Sequence, residues 1–80
     1  MQVFGKRQEF FLDDASIGRT IRLHRRRKNL CIDEVAKKAE IPARLLAAYE
    51  QGSARVRVDR IDAIADALGV TPRSLLIRSV

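Results

Sequence analysis

The stretch Ile32 to Gly52, IDEVAKKAEIPARLLAAYEQG, decides how the chain is read. Val35, Ala36 and Ala39 recur at helical spacing, so Ile32 to Ala39 reads as a short helix with one apolar face. A corner follows at Glu40-Ile41-Pro42. Proline has no N–H to donate, so it suits the first turn of a helix and not its interior. The residue before it is pushed out of the helical region. A second helix is therefore expected from near Pro42 to about Gln51, with Gly52 as its left-handed stop. Two helices of under three turns with so short a corner form a helix-turn-helix unit.

Working outward, a preceding helix is expected from Ala15 or Ser16 to Lys28, capped by Asp14 or Ser16. Ile17, Ile21 and either Leu23 or His24 supply its inward stripe. Cys31 falls at the N-cap of the Ile32 helix, where a thiol is a poor cap, and is read as a small apolar residue rather than a redox switch. Asp33 and Glu34 suit the positive end of that helix. On the far side, Ile61, Ile64, Ala65 and Leu68 recur at three and four, marking a helix from Asp59 to Leu68 that Gly69 stops. Thr71 and Pro72 then open a last short helix, with Leu75, Leu76 and Ile77 facing the core or a second copy. The sum is an all-α fold: a compact five-helix bundle over residues 16–80, preceded by an arm at 1–15. The arm carries Lys6 and Arg7 and all three phenylalanines, Phe4, Phe10 and Phe11. It reads as a flexible arm that follows DNA, as an apolar segment packing on the domain or a second subunit, or as a frayed terminus.

Eighty residues make one domain at most. A hydrophobic share of 46% with 32% charged residues fits a folded soluble chain. The single cysteine excludes an intrachain disulfide and a Cys-based zinc site. No apolar run reaches the roughly 20 residues of a membrane span, and a cytoplasmic location is expected. One His and one Cys on separate turns, without a Gly-rich phosphate loop or an inward carboxylate pair, give no enzyme, cofactor or metal site. The net charge of +6 comes from 16 basic and 10 acidic residues. Arg19, Arg22, Arg25, Arg26, Arg27 and Lys28 crowd one segment; Lys37, Lys38 and Arg44 lie in the central unit, and Arg55, Arg57 and Arg60 follow it. Most charge runs are solvated faces. Beside a helix-turn-helix, this one suits phosphate contact.

Leu30-Cys31-Ile32-Asp33-Glu34-Val35-Ala36, Glu40-Ile41-Pro42, Tyr49-Glu50-Gln51-Gly52 and Ala67-Leu68-Gly69-Val70 followed by Leu75-Leu76 together resemble the Cro/C1-type (XRE-like) helix-turn-helix family of bacterial and phage regulators. The resemblance covers roughly Ile17 to Leu76, with Ala-Leu-Gly-Val its most specific part. It implies a lambda-repressor-like fold that binds double-stranded DNA as a homodimer and regulates transcription. It implies an Arg25–Glu50 ion pair tying the first helix to the third, Asn29 in place of a stop glycine, and a structural His24 where the family often has Leu. Its base-reading positions fall on Ala43, Arg44, Leu45, Ala47 and Ala48, and its backbone contacts on Arg55, Arg57 and Arg60.

Two departures stand out. Ile32 occupies the place of a phosphate-clamping Gln, and alanine offers no hydrogen bond to a base edge. Among the base-reading positions Arg44 alone keeps a fork that can bind guanine bidentately. Leu45 is not accounted for by core packing, and with Ala43, Ala47 and Ala48 it would leave an apolar exposed face. That face supports entry into DNA with low intrinsic specificity, packing on the Phe-rich arm, or an alternative function. In the last, the scaffold docks on protein, a transcription-apparatus component or a companion regulator, with DNA contact reduced to the backbone.

Overall fold

The computed structural model describes residues 13–76, and the Phe-rich arm and Ile77 lie outside them. Five helices follow one another: α1 (Asp14–Arg27), α2 (Ile32–Ala39), α3 (Ala43–Gln51), α4 (Val58–Leu68) and α5 (Pro72–Leu76). No strand occurs among the described residues. The expected limits of α2 hold, and α3 begins one residue after Pro42, which caps it in extended conformation.

Two starts differ from expectation. Asp13, not Asp14 or Ser16, caps α1: its Oδ1 accepts from the Ser16 N–H at 2.8 Å, so the helix begins at Asp14 and ends at Arg27. Helix α4 starts one residue early, at Val58, with Arg57 in the cap position. The end of the chain matches better, since the Ser74 N–H donates to Thr71 Oγ1 at 3.3 Å and caps α5.

Four helices end in one way. The residue after the C-terminal turn or cap is left-handed at Asn29, Glu40, Gly52 and Gly69. The next N–H then reaches back five residues: Leu30 to the Arg25 carbonyl, Ile41 to Ala36, Ser53 to Ala48 and Val70 to Ala65, at 2.9–3.1 Å. Glu40 is the costly member, because a Cβ at φ 60 meets its own carbonyl. The corner accepts this because buried Ile41 closes it onto the core.

The core joins Ile17 and Ile21 of α1, Val35, Ala36 and Ala39 of α2, Leu46 and Tyr49 of α3, Ile61, Ile64, Ala65 and Leu68 of α4, and Leu75 of α5. Leu23 is not part of the α1 stripe: it is 47% exposed, about 200° around the helix from Ile21. Leu76 is likewise exposed, while Leu75 is buried. Leu45 and Ala43 do not stand free. Both are partly buried against the core, which shrinks the exposed apolar face expected on α3.

Helices α1 and α3 pack at backbone distance. A Cβ on Gly18 would overlap the Tyr49 carbonyl oxygen and stand 3.0 Å from the Glu50 carbonyl group. Gly18→Ala should therefore destabilise the domain by about 2–3 kcal/mol, since backbone and not a movable side chain must yield. Urea denaturation of the variant against wild type checks this.

Candidate nucleic-acid interface

The exposed surface of α3 is set by what its other side buries. Leu46, Tyr49 and Glu50 face inward, while Leu45 and Ala43 flank them. Arg44 and Gln51 are exposed, and Ala47 and Ala48 are half-buried. Gln51 is absent from the positions inferred by resemblance, which stop at Ala48. Its seven-residue spacing from Arg44, nearly two turns, is the signal that places it on the same outward line.

The helix is held at this angle by a fork whose carboxylate is buried and whose guanidinium is largely covered. Arg25 Nε donates to Glu50 Oε2 at 2.6 Å and Nη2 donates to Oε1 at 2.9 Å. Nη1 of the same guanidinium donates to the Leu30 carbonyl at 2.9 Å, so one side chain ties α1, α3 and the start of the helix-turn-helix. The hydrogen bond to Glu50 raises the Arg25 pKa above its ordinary value, and the charge is permanent. Arg22 also approaches Glu50 Oε1, at 3.6 Å, with its side chain half in solvent.

The remaining cations of α1, Arg19, Arg26 and Arg27, are exposed, as is Lys28 at its C-cap. On α2, Lys37 and Lys38 are exposed between buried Ala36 and Ala39. The opposite end of α2 is acidic. The Glu34 carboxylate accepts from the Cys31 N–H at 2.8 Å, which holds its pKa below the usual carboxylate range. With Asp33 beside it, this helix start repels phosphate, which compounds the absence of a clamping glutamine at Ile32.

After Gly52 the loop is pinned by Val56, which is buried, and this turns its neighbours Arg55 and Arg57 outward. Arg57 lies 3.4 Å from Asp59 in an exposed pair of little energetic weight. Arg60 is placed differently. It is half-buried, and its Nη1 is enclosed with no hydrogen-bond partner among the described residues, so it is less available to a ligand than Arg55. The acids of α4, Asp59, Asp62 and Asp66, form one exposed line. Among the described residues no cluster of three or more His, Cys, Asp or Glu side chains could hold a metal ion. No described helix is long and apolar enough to cross a membrane.

A sequence profile for a helix-turn-helix domain matches residues 16–76. No curated protein matches the chain. Among solved structures, the restriction-modification controller protein C.AhdI from Aeromonas hydrophila is 26% identical, with a TM-score of 0.76 over 78% of this chain and 94% of that one. A hypothetical transcription factor, NHTF, from Neisseria is also 26% identical, with a TM-score of 0.76 over 80% of this chain and 74% of that one. The clp gene regulator ClgR from Corynebacterium glutamicum shares the fold at 23% identity and a TM-score of 0.78, over 81% of this chain and 69% of that one.

Two outcomes are expected from this geometry. Glu50→Gln leaves the largely covered Arg25 charge without its counter-ion and should cost about 3 kcal/mol in denaturant unfolding. Burial, and then the Arg27 and Lys28 charges, lower the His24 pKa below 6.5. The unfolded imidazole therefore takes up its proton first, so His24 supports stability above about pH 6.5 and loses that support as pH falls further. The melting temperature should drop less between pH 7.5 and 5.5 in His24→Gln than in wild type.

Proposed function

The chain belongs to the helix-turn-helix domain family, and from that premise we propose that it regulates transcription by seating α3 in the major groove of duplex DNA while Arg-rich segments grip phosphate. The observation that carries this reading is the joint exposure of Arg44 on α3 and Arg55 and Arg57 on the following loop, with the fork of Arg25 and Glu50 fixing α3 from behind. Arg44 reads a guanine; Ala43, Leu45 and Ala48 give steric and methyl contact in the groove. Lys37, Lys38, Arg55 and Arg57 contact phosphate, with Arg60 a lesser contributor because part of its guanidinium is enclosed. Two copies then address an inverted repeat, with their α3 helices about one DNA turn apart. Such a regulator works in the cytoplasm, on the nucleoid.

The protein-docking alternative loses its chief support, since Leu45 and Ala43 pack against the core and leave a smaller apolar face than the sequence suggested. Measurement of binding to random and selected duplexes across a salt series tests the proposal. Arg55→Ala should weaken all duplexes alike and reduce the salt slope by about 1, whereas Arg44→Ala should relax preference at one position by about 1–3 kcal/mol. Binding that is unaffected by either change would rule out this interface.

A further inference from the structure

The outward line of α3 holds two exposed side chains that can make hydrogen bonds, Arg44 and Gln51. Between them stand only Ala47 and Ala48, half-buried and without polar side-chain atoms. Of the helix's other polar side chains, Tyr49 is buried and Glu50 faces inward and is taken up by Arg25. Seven residues along a helix amount to about 10 Å of axial travel. Duplex DNA rises about 3.4 Å per base pair, so the two side chains are spaced to meet pairs about three steps apart. Their chemistry differs in a useful way: a guanidinium matches guanine O6 and N7, and a glutamine carboxamide matches adenine N6 and N7.

The C-terminal end of α3 is also prepared for such an approach. Two of its carbonyls are satisfied from within, Ala48 by the Ser53 N–H at 3.0 Å and hydroxyl at 3.3 Å, and Tyr49 by the Gly52 N–H at 3.1 Å. The helix end beside Gln51 therefore does not turn those two bare acceptors toward a negatively charged duplex.

We propose that Gln51 is a second specificity-determining residue, and that α3 lies along the major groove in a two-point readout, with guanine under Arg44 and adenine about three base pairs away under Gln51. This deepens, and rests on, the reading of α3 as the groove helix. The intervening pairs meet alanine and are discriminated only through a thymine methyl. A helix that entered by its N-terminal end alone would instead leave Gln51 at the phosphates, where it carries no sequence information.

Selection of the intact chain on random duplexes at physiological salt, repeated with Gln51→Ala and Arg44→Ala, tests this, with affinities for the recovered site and its single-base variants measured by fluorescence anisotropy. Circular dichroism establishes that the variants fold. The expected wild-type motif contains guanine and adenine about three pairs apart. Gln51→Ala should lose about tenfold or more of the discrimination at the adenine while keeping that at the guanine, and Arg44→Ala should do the reverse. Unchanged adenine preference in Gln51→Ala, or equal weakening on every duplex, would overturn the role of Gln51 while leaving α3 as the groove helix. No motif from wild-type protein would overturn both.

Discussion

The Arg25–Glu50 fork is the constraint on which the presentation of α3 depends. Its carboxylate lies almost out of solvent and its guanidinium is largely covered, so neither charge has water as a ready alternative partner. The third guanidinium contact, to the Leu30 carbonyl, extends the hold from α1 across the turn that leads into α2. Gly18 complements it about two turns earlier on α1, by letting the two helix backbones meet where any side chain would separate them. Angle and separation of α1 and α3 are thus fixed by different means: a directional charge pair and a missing Cβ.

With α3 fixed, the rest of the surface sorts itself by charge. Burial of Val56 turns Arg55 and Arg57 outward, while α4 sends its aliphatic side to the core and an aspartate line to solvent. The chain is basic overall, yet Asp33 and Glu34 gather at the start of α2 and Asp59, Asp62 and Asp66 along α4. A polyanion is attracted to some faces and repelled from others, which orients an encounter before any base is touched.

Much of this was legible in the sequence because short helices advertise themselves through spacing and stops. The limits of α2, the core stripe of α4 and the left-handed Asn29, Gly52 and Gly69 follow from apolar periodicity and stop residues. What failed was decided between elements. Three capping residues lay close together at Asp13, Asp14 and Ser16, and local chemistry does not rank them; the docking of Ile17 and Gly18 buries Ser16 and leaves Asp13 to cap. Leu23 has a core residue's chemistry on a solvent-facing angle, and Leu45 has the converse, a flank position that the neighbouring core reaches. Gln51 lies outside the reading positions that the resemblance implies and is marked only by the outward line of this helix. The reach of the long Arg60 side chain, with one nitrogen enclosed, has no signature in sequence spacing.

A recognition helix with two hydrogen-bonding residues has a bounded capacity to discriminate. Each bidentate base contact is worth roughly 1–3 kcal/mol, so one copy of this chain would command about 2–6 kcal/mol under the proposed readout. Regulators separate their sites from bulk DNA by about 4–10 kcal/mol. One copy falls at the lower edge of that range, whereas two copies on an inverted repeat double the number of base contacts without adding a residue to α3. The alanine-rich face and the paired arrangement are therefore two parts of one proposal: the fewer bases each helix reads, the more the fixed spacing between two helices must contribute to selecting the site.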